Sequence, residues 1–145
     1  MARARIGQED GASAVEMALI APLLFMLVFG IIGFGLAFLQ VQSIKTGVRE
    51  GGRAAAVGAN VATIQQKTAD ASSGAIPSAQ QGSVAVSPNP GASSPACTSN
   101  NIGSNVIVSF PTSVLNSGQG IVIQIPLLPD IHITPTITAQ FRCEV

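Results

Sequence analysis

The sequence predicts an α+β protein: a long N-terminal helix, transmembrane and then amphipathic, packed on a small C-terminal antiparallel β-sheet of three to four strands. Three observations carry this. Residues 17–39 contain no charge, residues 41–70 keep apolar side chains at helical spacing, and the chain ends in short β-branched runs punctuated by Pro and Gly.

Residues 11–40 read GASAVEMALIAPLLFMLVFGIIGFGLAFLQ. At about 1.5 Å per residue, the charge-free part forms a helix on the order of 35 Å long, enough to cross a bilayer's hydrocarbon core. Glu16 lies inside the apolar segment, where a carboxylate costs about 2.5–3.5 kcal/mol near a bilayer centre and less near an interface. A hydrophilic leader, MARARIGQEDG, ends in Gly11. Its removal would leave a new ammonium at Ala12, suited to neutralise Glu16 of a neighbouring subunit. A secretory signal peptide competes for the same segment, but its apolar region is normally about 7–15 residues, shorter than this one.

Within the span, Ala14 and Ala18 form one small-xxx-small pair, and Gly33 and Ala37 another with Gly30 near its face. Such spacing lets helix backbones approach, although Gly and Ala are also simply common in membrane helices. Pro22 removes a backbone hydrogen bond and predicts a kink or local loosening.

The helix is expected to continue through residues 41–70. Val41, Ile44 and Val48 share a face and residues 54–56 are all Ala, a strong helix former, whereas Gly47, Gly51 and Gly52 predict a bend. Lys45, Arg49 and Arg53 recur every four residues, a like-charge stripe suited to lipid phosphates or to acidic groups of an adjacent subunit. A solvated face partly balanced by Glu50 is the plainer alternative. Basic residues flank both ends of the span, Arg3 and Arg5 on one side, so charge alone does not set its orientation.

Residues 71–101 are rich in Ser, Ala, Gly, Asn and Gln with Pro77, Pro88, Pro90 and Pro95, and read as loop; SVAVS at 83–87 is the one strand candidate. NVIVSF at 105–110 and IVIQI at 121–125 follow, with a turn signal, SGQG, at 117–120. In the final run Ile131, Ile133, Ile137, Ala139, Phe141 and Cys143 alternate with polar residues, predicting one strand with a buried and a wet face. Pro126, Pro129 and Pro135 mark strand ends, a bulge or an edge. Cys97 and Cys143 are the only cysteines, and a pair in an exported domain reads as a disulfide.

The composition argues against several functions. Net charge is zero and there is no Trp or Tyr, so neither a basic field nor a stacking platform for nucleic acid is present. His132 is the single histidine; a metal site or a catalytic triad needs more partners than it and Asp130 supply. No catalytic residues, metal or cofactor are expected.

Leader, glycine, four small or apolar residues, glutamate and a long apolar helix resemble the class III signal of type IV pilins. With GVREGGRAAAVG after the helix and ITPTITAQFRCEV at the end, the chain resembles the TadE-like pseudopilins of tight-adherence (Flp) pilus systems; Met17 stands where that family more often has an aromatic. The resemblance implies a cleavable leader at residues 1–11, a transmembrane and filament-core helix at 12–40, a helix continuation at 41–70 and a loop-rich extracytoplasmic β domain at 71–145. It implies a prepilin peptidase, an inner-membrane assembly platform and other pilin-like subunits as partners, besides membrane lipid. The expected location is the bacterial inner membrane, N-terminus cytoplasmic, and the cell surface after assembly. Two other readings stay open: an uncleaved single-pass anchor displaying a binding domain, and an assembly factor that never enters the filament.

Overall fold

The computed structural model describes residues 9–88 and 91–144; the leader arginines Arg3 and Arg5, and Pro90, lie outside them. Helix α1 spans Glu9–Ala56 and α2 Val61–Ala71. Five strands follow: β1 (Ala85–Ser87), β2 (Asn105–Pro111), β3 (Ile121–Ile123), β4 (Ile131–Ile133) and β5 (Thr136–Arg142). They form two antiparallel sheets, β1-β2-β5 and β3-β4. This is the α+β architecture of the sequence reading, with the strands divided between two sheets.

The helix expected to run to residue 70 instead stops at Ala56 and restarts. The Gly58 N–H donates to the Ala55 carbonyl and the Ala59 N–H to the Ala54 carbonyl, both at 3.1 Å, with Gly58 at φ +80°. This pairing satisfies the Ala54 and Ala55 carbonyls, and glycine takes the left-handed turn without a Cβ clash. Asn60 then caps α2, its Oδ1 accepting from the Thr63 N–H at 2.8 Å. Helix α2 returns antiparallel along α1, so that Thr68 and Ser72 lie against Gly47 and Thr68 and Ile64 against Gly51.

Helix α1 does not break at Gly47, Gly51 or Gly52, which the sequence reading marked as weak points. They serve close packing instead. A Cβ on Gly47 would collide with the Thr68 carbonyl oxygen, one on Gly51 with Thr68 Oγ1, and one on Gly52 with the Phe141 ring. Helix α1 also runs on through Pro22.

The core lies between the C-terminal half of α1 and the sheets. Ile44 and Val48 of α1, Ile64 of α2, Val106, Val108 and Phe110 of β2, and Ile121 and Ile123 of β3 are all buried. In β2 the period-two pattern is complete, since Val106, Val108 and Phe110 point in while Asn105 and Ile107 point out.

The single strand expected over 131–143 is two. Thr112 takes the Pro135 carbonyl through both its N–H (3.1 Å) and its Oγ1 (2.7 Å), and the chain changes sheets there. Beyond that point the predicted alternation holds: Ile137 and Cys143 are buried and Ala139 and Phe141 partly so, while Thr136, Thr138, Gln140 and Arg142 are exposed. Before it, Ile131 and Ile133 are exposed, because β4 pairs with β3 alone and forms the lobe's outer edge.

Candidate functional site

The residues singled out from the sequence fall into three sets along α1. At the N-terminal end, Gly11, Ala12, Ala14, Glu16 and Ala18 are all exposed on a bare helix. So are Leu19, Leu23, Leu24, Phe25 and Leu27, which point in every direction around the axis. A helix apolar on all sides belongs in a protein core or in lipid. The most hydropathic window of this helix has 0% of its residues buried, so lipid or another helix is what it lacks.

The second set begins at Met26, which packs on the domain core. From there a stripe of Gly33, Ala37, Val41, Ile44 and Val48 faces the chain's own domain at steps of three or four, while a Cβ on Gly30, near the same face, would meet nothing within 4 Å. A Cβ on Gly33 would lie 3.1 Å from the Gln124 carbonyl oxygen and 3.3 Å from Ile123 Cγ2. The Gly33 and Ala37 pair, read from the sequence as a seat for a neighbouring helix, is thus filled by β3 and its following loop. Ala14 and Ala18 remain open.

The third set is the cationic stripe. Lys45, Arg49 and Arg53 are exposed on one side of the covered half. Lys45 and Arg49 border a cleft with Pro135, Thr136 and Thr138, while Arg49 and Arg53 border another with Glu50 and Phe141. Both clefts open to solvent, and the carboxylate beside the second partly offsets its charge. His132 is exposed on β4, and the described residues hold no group of three or more His, Cys, Asp or Glu spaced for a metal ion.

At the far end of α1 several segments converge. Cys97 and Cys143 form a disulfide, with Cα atoms 5.5 Å apart. The Glu144 N–H donates to the Ala56 carbonyl at 3.0 Å, closing the end of the helix with the end of the sheet. Val61 and Ala62 N–H groups donate to Ser94 and Ala92, and the Ala96 N–H to Ala59. The proline-rich loop is therefore pinned onto the α1–α2 turn.

Reading the sequence alone missed the seats at Gly47, Gly51 and Gly52. The signal was present: Gly47 and Gly51 repeat the small-xxx-small spacing sought within the apolar segment, four residues apart but outside it.

The family of TadE-like proteins matches over residues 11–53. The match begins at the candidate cleavage glycine and covers α1 almost to its end, but none of the sheet. The ending ITPTITAQFRCEV, which also suggested this family, lies outside it. No curated protein and no solved structure matches the chain.

Proposed function

We propose that this chain is a pseudopilin of the tight-adherence pilus system, a reading supported by the match of residues 11–53 to TadE-like proteins. A prepilin peptidase cleaves it after Gly11, and the subunit then assembles through its N-terminal helix. The observation that carries this reading is the bare half of α1: an all-round apolar surface, headed by Gly11 and Glu16, that the protein's own domain does not cover.

Before assembly the helix holds the subunit in the membrane; afterwards neighbouring helices replace the lipid. Glu16 supplies register. A misplaced subunit leaves its carboxylate unpaired in apolar surroundings, at a cost of several kcal/mol, whereas a correctly placed one meets a neighbour's Ala12 ammonium. Ala14 and Ala18, small and open on the same segment, admit the close approach this needs. Lys45 and Arg49 stand where lipid phosphates lie before assembly, and the domain faces away from the cytoplasm.

The role is structural, in keeping with a family of pilus proteins rather than catalysts. Intact masses of the protein from membranes and from sheared surface fibres test it. We expect a species beginning at Ala12 in both fractions. For Glu16→Ala we expect the same cleaved species in membranes and its loss from fibres. A full-length mass confined to membranes would replace this reading with an uncleaved anchor. A cleaved wild-type protein absent from fibres would make it an assembly factor.

A further inference from the structure

We infer that the loop joining β3 to β4, residues 124–130, is a second membrane-contacting element, with Leu127 and Leu128 immersed in the leaflet on the domain's side of the bilayer. The inference rests on the reading of α1 as a membrane span. It concerns a segment well separated in sequence from that helix and outside the matched residues.

Height along α1 places the loop. A hydrocarbon core about 30 Å thick takes about 20 helical residues. Counted from Ala12 the far boundary falls near Ile32, and counted from Glu16 it falls near Leu36. The domain begins below that boundary. Met26 already packs on it, and Gly33 lies against Ile123 and the Gln124 carbonyl. Phe29, Ile32 and Leu36 share with Pro126 an open groove whose domain side also carries Asn116, Gln119, Gln124 and Asp130. The opposite side of α1 at this height gives the same answer. Phe34, Phe38 and Leu39 are each more than half exposed, and the next charge is Lys45. Withdrawing the membrane far enough to free the loop would set this whole apolar collar in water.

The loop's surface suits that position. Leu127 is 84% exposed and Leu128 48%, between Pro126 and Pro129, and Ile131 and Ile133 extend the apolar surface along β4. Leu127 has φ +70°, a left-handed backbone that a bulky L residue rarely takes and that holds its side chain outward. A two-leucine tip continuous with a lipid-facing helix fits the acyl–headgroup boundary. The one carboxylate there, Asp130, is exposed and lies 3.5 Å from Gln124 Nε2, an amide donor.

The chain has no tryptophan, so single-tryptophan variants of the full-length protein report depth directly. Leu127→Trp, Phe25→Trp and Ile102→Trp would be reconstituted in phosphatidylcholine–phosphatidylglycerol vesicles with bromine at shallow or deep acyl positions. We expect Leu127→Trp to emit blue-shifted light and to lose most of it to shallow bromines. Phe25→Trp should be quenched by deep bromines, and Ile102→Trp, at the disulfide end, only by aqueous iodide. A Phe25→Trp signal that no bromolipid quenches would show that α1 does not span, and the inference falls with that premise. A lipid-quenched Phe25→Trp beside an iodide-quenched Leu127→Trp would overturn the loop contact alone. Shielding of Leu127→Trp only in assembled fibres would assign the loop to a second copy and likewise overturn it.

Discussion

Before Ile32, α1 exposes Leu19, Leu23, Leu24, Phe25 and Leu27; beyond Gly33 it buries Ala37, Ile44, Val48, Ala54 and Ala55. Both halves are helical and rich in apolar residues, yet one is bare and the other forms the floor of a domain. The difference lies in the size of the side chains on the facing stripe. Large residues on every side leave no place for a sheet to approach, whereas Gly33, Ala37, Gly47, Gly51 and Gly52 open a groove in which β3, α2 and β5 sit at backbone distance. The bare half is left for surroundings the molecule does not contain.

If that division is real, damage to the covered half should unfold the domain and damage to the bare half should not. Urea unfolding in detergent, where micelles keep the span helical, separates the two. The largest effect is expected at the far end of the covered half, where the disulfide closes a separation of 46 residues. Replacing both Cys97 and Cys143 by Ser should cost about 4 kcal/mol by the entropy of so long a loop. An unchanged midpoint would mean that the backbone bonds around Ala56 and Ala59 already hold that end closed.

Next comes a matched pair within α1. Ile44 is fully buried against the sheets, so Ile44→Ala should cost about 3 kcal/mol from lost transfer energy and the cavity left behind. Leu24 is half exposed and is not among the residues buried in the domain core. Leu24→Ala should therefore shift the domain's unfolding by less than about 0.5 kcal/mol. Equal losses from the two variants would erase the distinction between the halves.

How much of this was legible beforehand follows from which signals are local. The span announces itself by the absence of charge over residues 17–39, β2 by a short β-branched run and β5 by alternation, because each depends only on neighbours along the chain. The cysteine pair was read correctly for the same kind of reason: there is only one way to join two. The failures are tertiary. Gly47, Gly51 and Gly52 look like helix breakers because propensity counts their entropy and not what packs on them. Ile131 and Ile133 continue a perfect period-two pattern, yet the Thr112 grip on the Pro135 carbonyl ends that pattern's sheet and starts another. The chain break at Ala56 was missed although Gly58 and Asn60 carry an ordinary stop and start signal, since three consecutive alanines argued for continuation.

The glycines also give a sharp test, one substitution with opposite signs on an open and on a packed face of α1. Ala in place of Gly stabilises a helix interior by up to about 1 kcal/mol. At Gly35 nothing lies within 4 Å of the added methyl, so Gly35→Ala should leave the domain's midpoint unchanged or slightly raised. At Gly47 the methyl meets the Thr68 carbonyl oxygen, a backbone atom that moves only if α2 moves. Overpacking of that kind costs about 1–3 kcal/mol, so Gly47→Ala should be net destabilising by about 1–2 kcal/mol despite its better propensity. If it stabilised instead, α2 would be a loosely held cover and not part of the fold's floor.

The smallest effect expected concerns how α2 is held in place. Its N-terminus has one side-chain cap, the Asn60 Oδ1 bond to the Thr63 N–H, so Asn60→Ala should cost about 1 kcal/mol. Asn60→Asp keeps an acceptor at the same point and adds a negative charge at a helix N-terminus, which favours the folded state by about 0.3–1 kcal/mol. The pair of variants therefore distinguishes a capping role from a bulk packing role at this position. A loss common to both would instead implicate the Asn60 backbone and its bridge to Pro95, which ties the proline-rich loop to the turn. In that case the covered half would owe its closure to the loop, and α2 would follow the loop into place.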